Sequence, residues 1–193
     1  MDAGNHVGLL NQHFNNIKEF LVSPEAQALI PKPKVTPHND WPAIQNRVEK
    51  AYGPVHPLYG KCFYGAKFIL FFGGGKKHLS LKVMKKLKFC DLDVTTTHWF
   101  IKVKESGDIF DATKDQFCYP NFKYCDYDDS HPFWDSAKNA DFGFPHFSRK
   151  WWYDEVVPSV VVMHMGELYK NIYGTNGGID WWIEQYKIKK EMT

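Results

Sequence analysis

The spacing of apolar residues changes from helical to strand-like after about residue 75, and that change limits the architectures open to this chain. In the first part, Leu9, Leu10, Phe14, Ile17, Phe20 and Leu21 recur at helical spacing, which predicts helix over 5–30. Within it, "SPEAQALI" places Ser23 as a helix cap, Pro24 at the first helical position and Glu25 in the first turn. "PKPKVTPHND" (31–40) is a proline-punctuated connector, and a short helix is expected from Pro42 to Tyr52. The apolar run from 61 to about 72 is the next helix, closed by Gly73, Gly74 and Gly75. After that the signal is β. "VTTTHWFIKV" (94–103) is β-branched and aromatic, "KESGD" is a turn, and "IFDAT" returns as the second arm of a hairpin. "VVPSVVVMHM" (156–165) is expected to be a buried strand, and "GIDWWIEQYKIKK" a closing helix with Asp180 near its start. Helices first and sheet later predict an α+β fold, with helices packed on an antiparallel sheet.

At 193 residues the chain is expected to be a single domain, 1–193. It divides into N-terminal helices (1–55), a central segment (56–117), an aromatic-rich insertion (118–153) and a C-terminal strand and helices (154–193). No run of about 18 apolar residues is long enough to span a membrane. The first 30 residues lack the basic start and apolar stretch of a secretory signal, and four cysteines do not make a disulfide scaffold. The expected location is therefore cytoplasmic. A net charge of +2 says little about partners, and nucleic acid stays open as a weakly supported one. The six lysines of "KKHLSLKVMKKLK" (76–88) read as a solvated face, with Leu79, Leu81, Val83 and Leu87 alternating inward. Cys118, Cys125 and His131 have a spacing that fits no common zinc site, so no metal is expected. "GGGKK" (73–77) lacks the opening glycine and the Ser or Thr of a phosphate loop, and it ends a helix rather than opening one.

Chemistry concentrates in "HPLYGKCFYGAKFILFF" (56–72), where a loop containing Pro57 and Gly60 delivers Cys62 to the first turn of a helix. A helix N-terminus favours a thiolate, because its exposed N–H groups favour negative charge. A thiol nucleophile also needs a base, and the base needs an orienting group. Downstream, His98 lies on the first strand of the hairpin and Asp111 on the second. The same apolar run would equally bury Cys62 as a small core residue.

The order Cys62, His98, Asp111, on helix, strand and strand, resembles the papain-like and transglutaminase-like superfamily of cysteine enzymes. The closest match is in "THWFIKVKESGDIFDATKDQF", where Asp111-Ala112-Thr113 stands in the Asp-Pro-Thr position of transglutaminase-core proteins. Residues 56 to about 117 also look like small phage-associated proteins with the pattern "PLYGHCY…THWW…DPTADQF". Here Lys61 replaces His, Phe63 replaces Tyr and Ala112 replaces Pro. If the source is viral, the expected compartment is the host cytoplasm.

The resemblance implies a Cys-His-Asp triad and a helix carrying the nucleophile packed on the sheet. The superfamily includes proteases, amidases, acyltransferases and inactive binding forms. The acid stays open at this level. A tight turn on Ser106 and Gly107 would set His98 opposite Asp115, whereas the resemblance favours Asp111, which that register leaves roughly 13 Å along the strand. For the oxyanion, the backbone N–H of Cys62 is the natural donor, with His56, Tyr59 or Gln116 as side-chain candidates. Trp99 beside the histidine and Trp134 in the aromatic tract are candidates for substrate contact. Residues 117–153 hold thirteen aromatics without a period, which suits either a substrate wall or a satellite core. The expected function is attack by Cys62 on an amide, ester or thioester, with His98 moving the proton, Asp111 holding the imidazole and no cofactor needed. The substrate expected is peptide-like or amide-bearing. A non-catalytic binding module and a peptidoglycan amidase are the alternatives.

Overall fold

The fold is known from a computed structural model that describes residues 4–31, 41–75, 78–88, 95–117, 134–136, 157–181 and 183–184. Helix α1 (Gly4–Val22) and helix α2 (Pro24–Leu29) are separated by Ser23, whose hydroxyl accepts from the Ala26 N–H at 3.3 Å. Pro24 has no N–H to leave unpaired at that end. Helix α3 (Trp41–Tyr52) follows, then helix α4 (Cys62–Phe72). The connector between α2 and α3 lies outside the described residues.

Helix α4 is buried along nearly its whole length, from Gly65 to Phe72. A helix buried on every side needs neighbours on every side. Strands β1 (Leu79–Lys88) and β2 (Thr95–Val103), helix α1 and the last long helix all pack against it. Gly73, Gly74 and Gly75 end it as expected, with the Gly75 N–H donating to the Leu70 carbonyl at 2.7 Å and φ of 85°.

The sheet is antiparallel, in the order β3-β2-β1-β4, with β3 spanning Ile109–Phe110 and β4 Trp134–Ser136. Leu79 and Leu81 of β1 pair with Val103 and Ile101 of β2, and all four side chains enter the core. The inward alternation expected of the lysine-rich strand holds for Leu79 and Leu81. The side chains of Val83 and Leu87 lie outside the described residues. His98 and Phe100, at the alternate positions of β2, are also buried, so both faces of this strand are covered.

The segment expected to be a strand at 156–165 is instead the start of helix α5 (Val157–Tyr173). Its β-branched run suits a strand locally, but Val162, Met165 and Tyr169 are fully buried while His164, Glu167 and Lys170 face outward. That is helical spacing, and its buried stripe packs on α4 and α2. Tyr169 meets Phe20, Phe68 and Phe72 with ring centroids 5.2, 5.6 and 5.5 Å apart. Burying each such ring contributes roughly 1.5–3 kcal/mol, more than the few tenths by which Val disfavours a helix. Residues 179–181 and 183–184 are helical, and Asp180 accepts from Asn176 Nδ2 at 3.1 Å. Mixed helix and antiparallel sheet, with α1 and α5 packed on α4, is an α+β arrangement.

Candidate active site

Two tight turns lead into α4. The Tyr59 N–H donates to the His56 carbonyl and the Lys61 N–H to the Leu58 carbonyl, and Gly60 between them has φ of 72°. Lys61 gives the helix no side-chain cap, and Cys62 is the first helical residue. Cys62 is 7 % exposed and in the free thiol form.

The hairpin that carries the other two groups does not have the tight turn expected of it. Ile101 pairs with Phe110 and Lys102 with Ile109, and the Val103 N–H donates to the Asp108 carbonyl at 2.8 Å. Residues 104–107 therefore form a four-residue loop. The Gly107 N–H reaches back to the Val103 carbonyl at 3.0 Å, and its φ of 78° is one that glycine adopts freely. Continuing this register sets Asp111 beside Phe100 and makes it the diagonal neighbour of His98. A diagonal pair on one face is within reach of an Asp and a His side chain.

The structure brings His98 Nε2 and Asp111 Oδ2 to 2.6 Å, with the imidazole wholly buried. The Cys62 side chain is hydrogen-bonded to the same ring. With Asp111 on Nε2, Nδ1 is the nitrogen left to face the thiol. The other carboxylate oxygen, Oδ1, accepts from the Thr113 N–H at 3.0 Å and its hydroxyl at 3.2 Å. Gln116 completes the group: its Nε2 donates to the Thr113 carbonyl at 2.9 Å and stands 3.5 Å from His98 Nδ1. Turning this amide round would set Oε1 against the Thr113 carbonyl, so the network fixes its orientation.

Burial by itself would favour the neutral imidazole. The Asp111 charge and hydrogen bond, with smaller contributions from Cys62, outweigh it and push the His98 pKa up to about 10. The Asp111 carboxylate therefore favours the protonated imidazole against the cost of its burial.

The remaining candidates sit elsewhere. Asp115, the acid favoured by the plain hairpin register, points away from His98 and pairs with Lys18 at 3.2 Å on the surface. The reason is the four-residue loop, which moves the register by two, and the 3₁₀ turn over Lys114–Phe117 that carries Asp115 off the strand. His56 accepts the Leu58 N–H at 3.2 Å and so holds its own loop. Burial lowers its pKa, against the charge of Asp115. Tyr59, in the same loop, is buried. Trp99 packs edge-on against Phe63, centroids 5.0 Å apart. Trp134 lies on β4 opposite Met84, which pairs with His98 on its other side. The Trp134 side chain, Trp151 and Trp152 lie outside the described residues, as do Cys118, Cys125 and His131. Among the described residues no cluster of His, Cys, Asp and Glu could hold a metal ion, and no helix is long and apolar enough to cross a membrane.

Two participants carried weaker signals in the sequence. Thr113 is visible only as the last letter of Asp-Ala-Thr. Gly65 is a glycine in a helix interior three residues after the cysteine, a place where glycine calls for a packing reason. Comparison of the chain with protein families, with curated proteins and with solved structures found no match in any of the three.

Proposed function

We propose that this protein is a thiol enzyme of the papain-like or transglutaminase-like kind, a hydrolase or acyltransferase acting on an amide, ester or thioester. The observation that supports this reading is the unbroken hydrogen-bonded chain from Cys62 through His98 to Asp111 at the start of a buried helix. In the proposed reaction His98 Nδ1 takes the proton of the Cys62 thiol, the thiolate attacks the carbonyl carbon and the carbonyl electron pair moves to oxygen. The Cys62 backbone N–H and Gln116 Nε2 are the proposed donors for that oxyanion. Collapse of the tetrahedral intermediate breaks the bond to the leaving group, which takes the proton from His98 Nδ1. Water or an amine then gives its proton back to His98 as it attacks the thioester, and the thiol is released. Asp111 keeps the proton on Nε2 throughout and partners the imidazolium. An amide in a peptide-like substrate is the preferred class, attacked in a reaction that needs no metal.

Alkylation tests the reading without knowledge of the substrate. Iodoacetamide at pH 6, followed by peptide mass spectrometry, should modify Cys62 on the order of 10 to 1,000 times faster than Cys90, Cys118 or Cys125. His98→Ala should abolish that advantage. Equal rates at all four cysteines would return the fold to a non-catalytic binding role, with the His98–Asp111 pair a structural one.

A further inference from the structure

Gly65 lies on α4 one turn after Cys62 and on the same face. Its backbone is right-handed, so glycine is not needed there for its φ. Glycine is the least favourable helix-interior residue after proline, which leaves space as the reason for it. A Cβ built on Gly65 would stand 2.8 Å from Thr113 Cγ2, closer than real carbon atoms approach. Thr113 is 1 % exposed, and every polar group it has is engaged. Its N–H and hydroxyl both donate to Asp111 Oδ1, and its carbonyl accepts from the N–H and side chain of Gln116. The methyl and the hydroxyl share one Cβ, so rotation that moves the methyl off α4 takes the hydroxyl off the carboxylate.

We propose that Thr113 positions the Asp111 carboxylate, and through it sets the reach of His98 to the thiol, and that Gly65 is glycine because its missing Cβ leaves the space that lets the Thr113 hydroxyl stay on Asp111. Gly65 and Thr113 are positioning residues in this scheme, and the scheme rests on the thiol-enzyme reading. It makes an asymmetric statement about substitutions. Gly65→Ala fills the space taken by the Thr113 methyl and turns its hydroxyl away from Asp111. Thr113→Ser keeps the hydroxyl and drops the methyl, so it is tolerated and makes room for an alanine at 65. Thr113→Val keeps the shape and drops the hydroxyl.

The test is the rate of Cys62 alkylation by iodoacetamide at pH 6 divided by the rate at pH 9.5, measured for the full chain. The ratio reports the proton held between thiol and imidazole, and a change in packing alone does not move it. Gly65→Ala should lower it on the order of ten-fold, which is about the worth of one hydrogen bond to a charged group. The double variant Gly65→Ala with Thr113→Ser should recover to within about three-fold of wild type. If the wild-type ratio is no higher for Cys62 than for the other cysteines, the thiol-enzyme reading fails and this inference with it. If the wild-type ratio is high and Gly65→Ala leaves it high, or the double variant stays as low as the single one, the inference alone is overturned. Should Gly65→Ala not fold, Thr113→Val and Thr113→Ser decide. A low ratio for Val and a wild-type ratio for Ser support the positioning role, and equal ratios overturn it.

Discussion

Replacing Asp111 with Asn changes one charge and almost no shape, so its consequences can be worked from the geometry. Asn keeps an oxygen where Thr113 donates, but it offers an N–H2 group to His98 Nε2 in place of a carboxylate oxygen. That nitrogen can then only accept, and the imidazole must become neutral with its proton on Nδ1, the side facing Cys62. The base is lost in the same step. In the wild type the folded pKa of about 10 lies above the ordinary 6.5. The linked stabilisation is therefore complete below pH 6.5 and is lost as pH rises toward 10. At pH 7 the charged native form is favoured over the neutral one by about three pH units, or about 4 kcal/mol. A new neutral hydrogen bond returns about 1 kcal/mol, leaving an expected destabilisation of about 3 kcal/mol. The assay is urea unfolding followed by tryptophan fluorescence from pH 6 to pH 10, with Cys62→Ser in both chains to remove the thiol titration. The stability gap between the chain that keeps Asp111 and the Asp111→Asn variant should shrink steadily across that window. A gap that stays constant would refute the reasoning, because it would mean that the buried imidazole is neutral and Asp111 a plain acceptor.

Asp115→Asn should leave the Cys62 alkylation rate within about two-fold and cost less than about 1 kcal/mol in a urea melt, since its pair with Lys18 is solvent-exposed. A large loss of thiol reactivity in that variant would restore Asp115 as the orienting acid. Gln116→Ala should slow acetylation of Cys62 by p-nitrophenyl acetate about 100- to 1,000-fold, as loss of an oxyanion donor does, while iodoacetamide alkylation at pH 6 changes only a few-fold. Equal losses in both reactions would make Gln116 a support for the imidazole instead. Ser23→Ala should lower stability by about 1 kcal/mol through loss of the α2 cap, and Phe68→Ala by about 3–5 kcal/mol through a cavity beside Tyr169. Thermal melts of the two variants check both figures, and similar shifts would mean that α4 is not the centre of the core.

Features that depend only on neighbours along the chain were readable from its letters. Ser23 and Pro24 start a helix because a hydroxyl and a fixed φ act within one turn, and Gly74 and Gly75 end another because they accept a backbone that other residues resist. The order of cysteine, histidine and acid, and the elements carrying the first two, were legible for the same reason. Tertiary structure decided the rest. The valines of 157–162 become helix because burying one stripe against α4 outweighs a local preference worth only tenths of a kcal/mol. The choice between Asp111 and Asp115 turned on a two-residue change of hairpin register, set by Gly107 in a four-residue loop, and on the 3₁₀ turn that carries Asp115 off the strand. Spacing along the chain does not carry that information, because several turn lengths suit the same letters and only packing selects among them. Gly65 shows the same limit from the other side. Its reason for being glycine is the methyl group of Thr113, far off along the chain, and only the fold brings the two together.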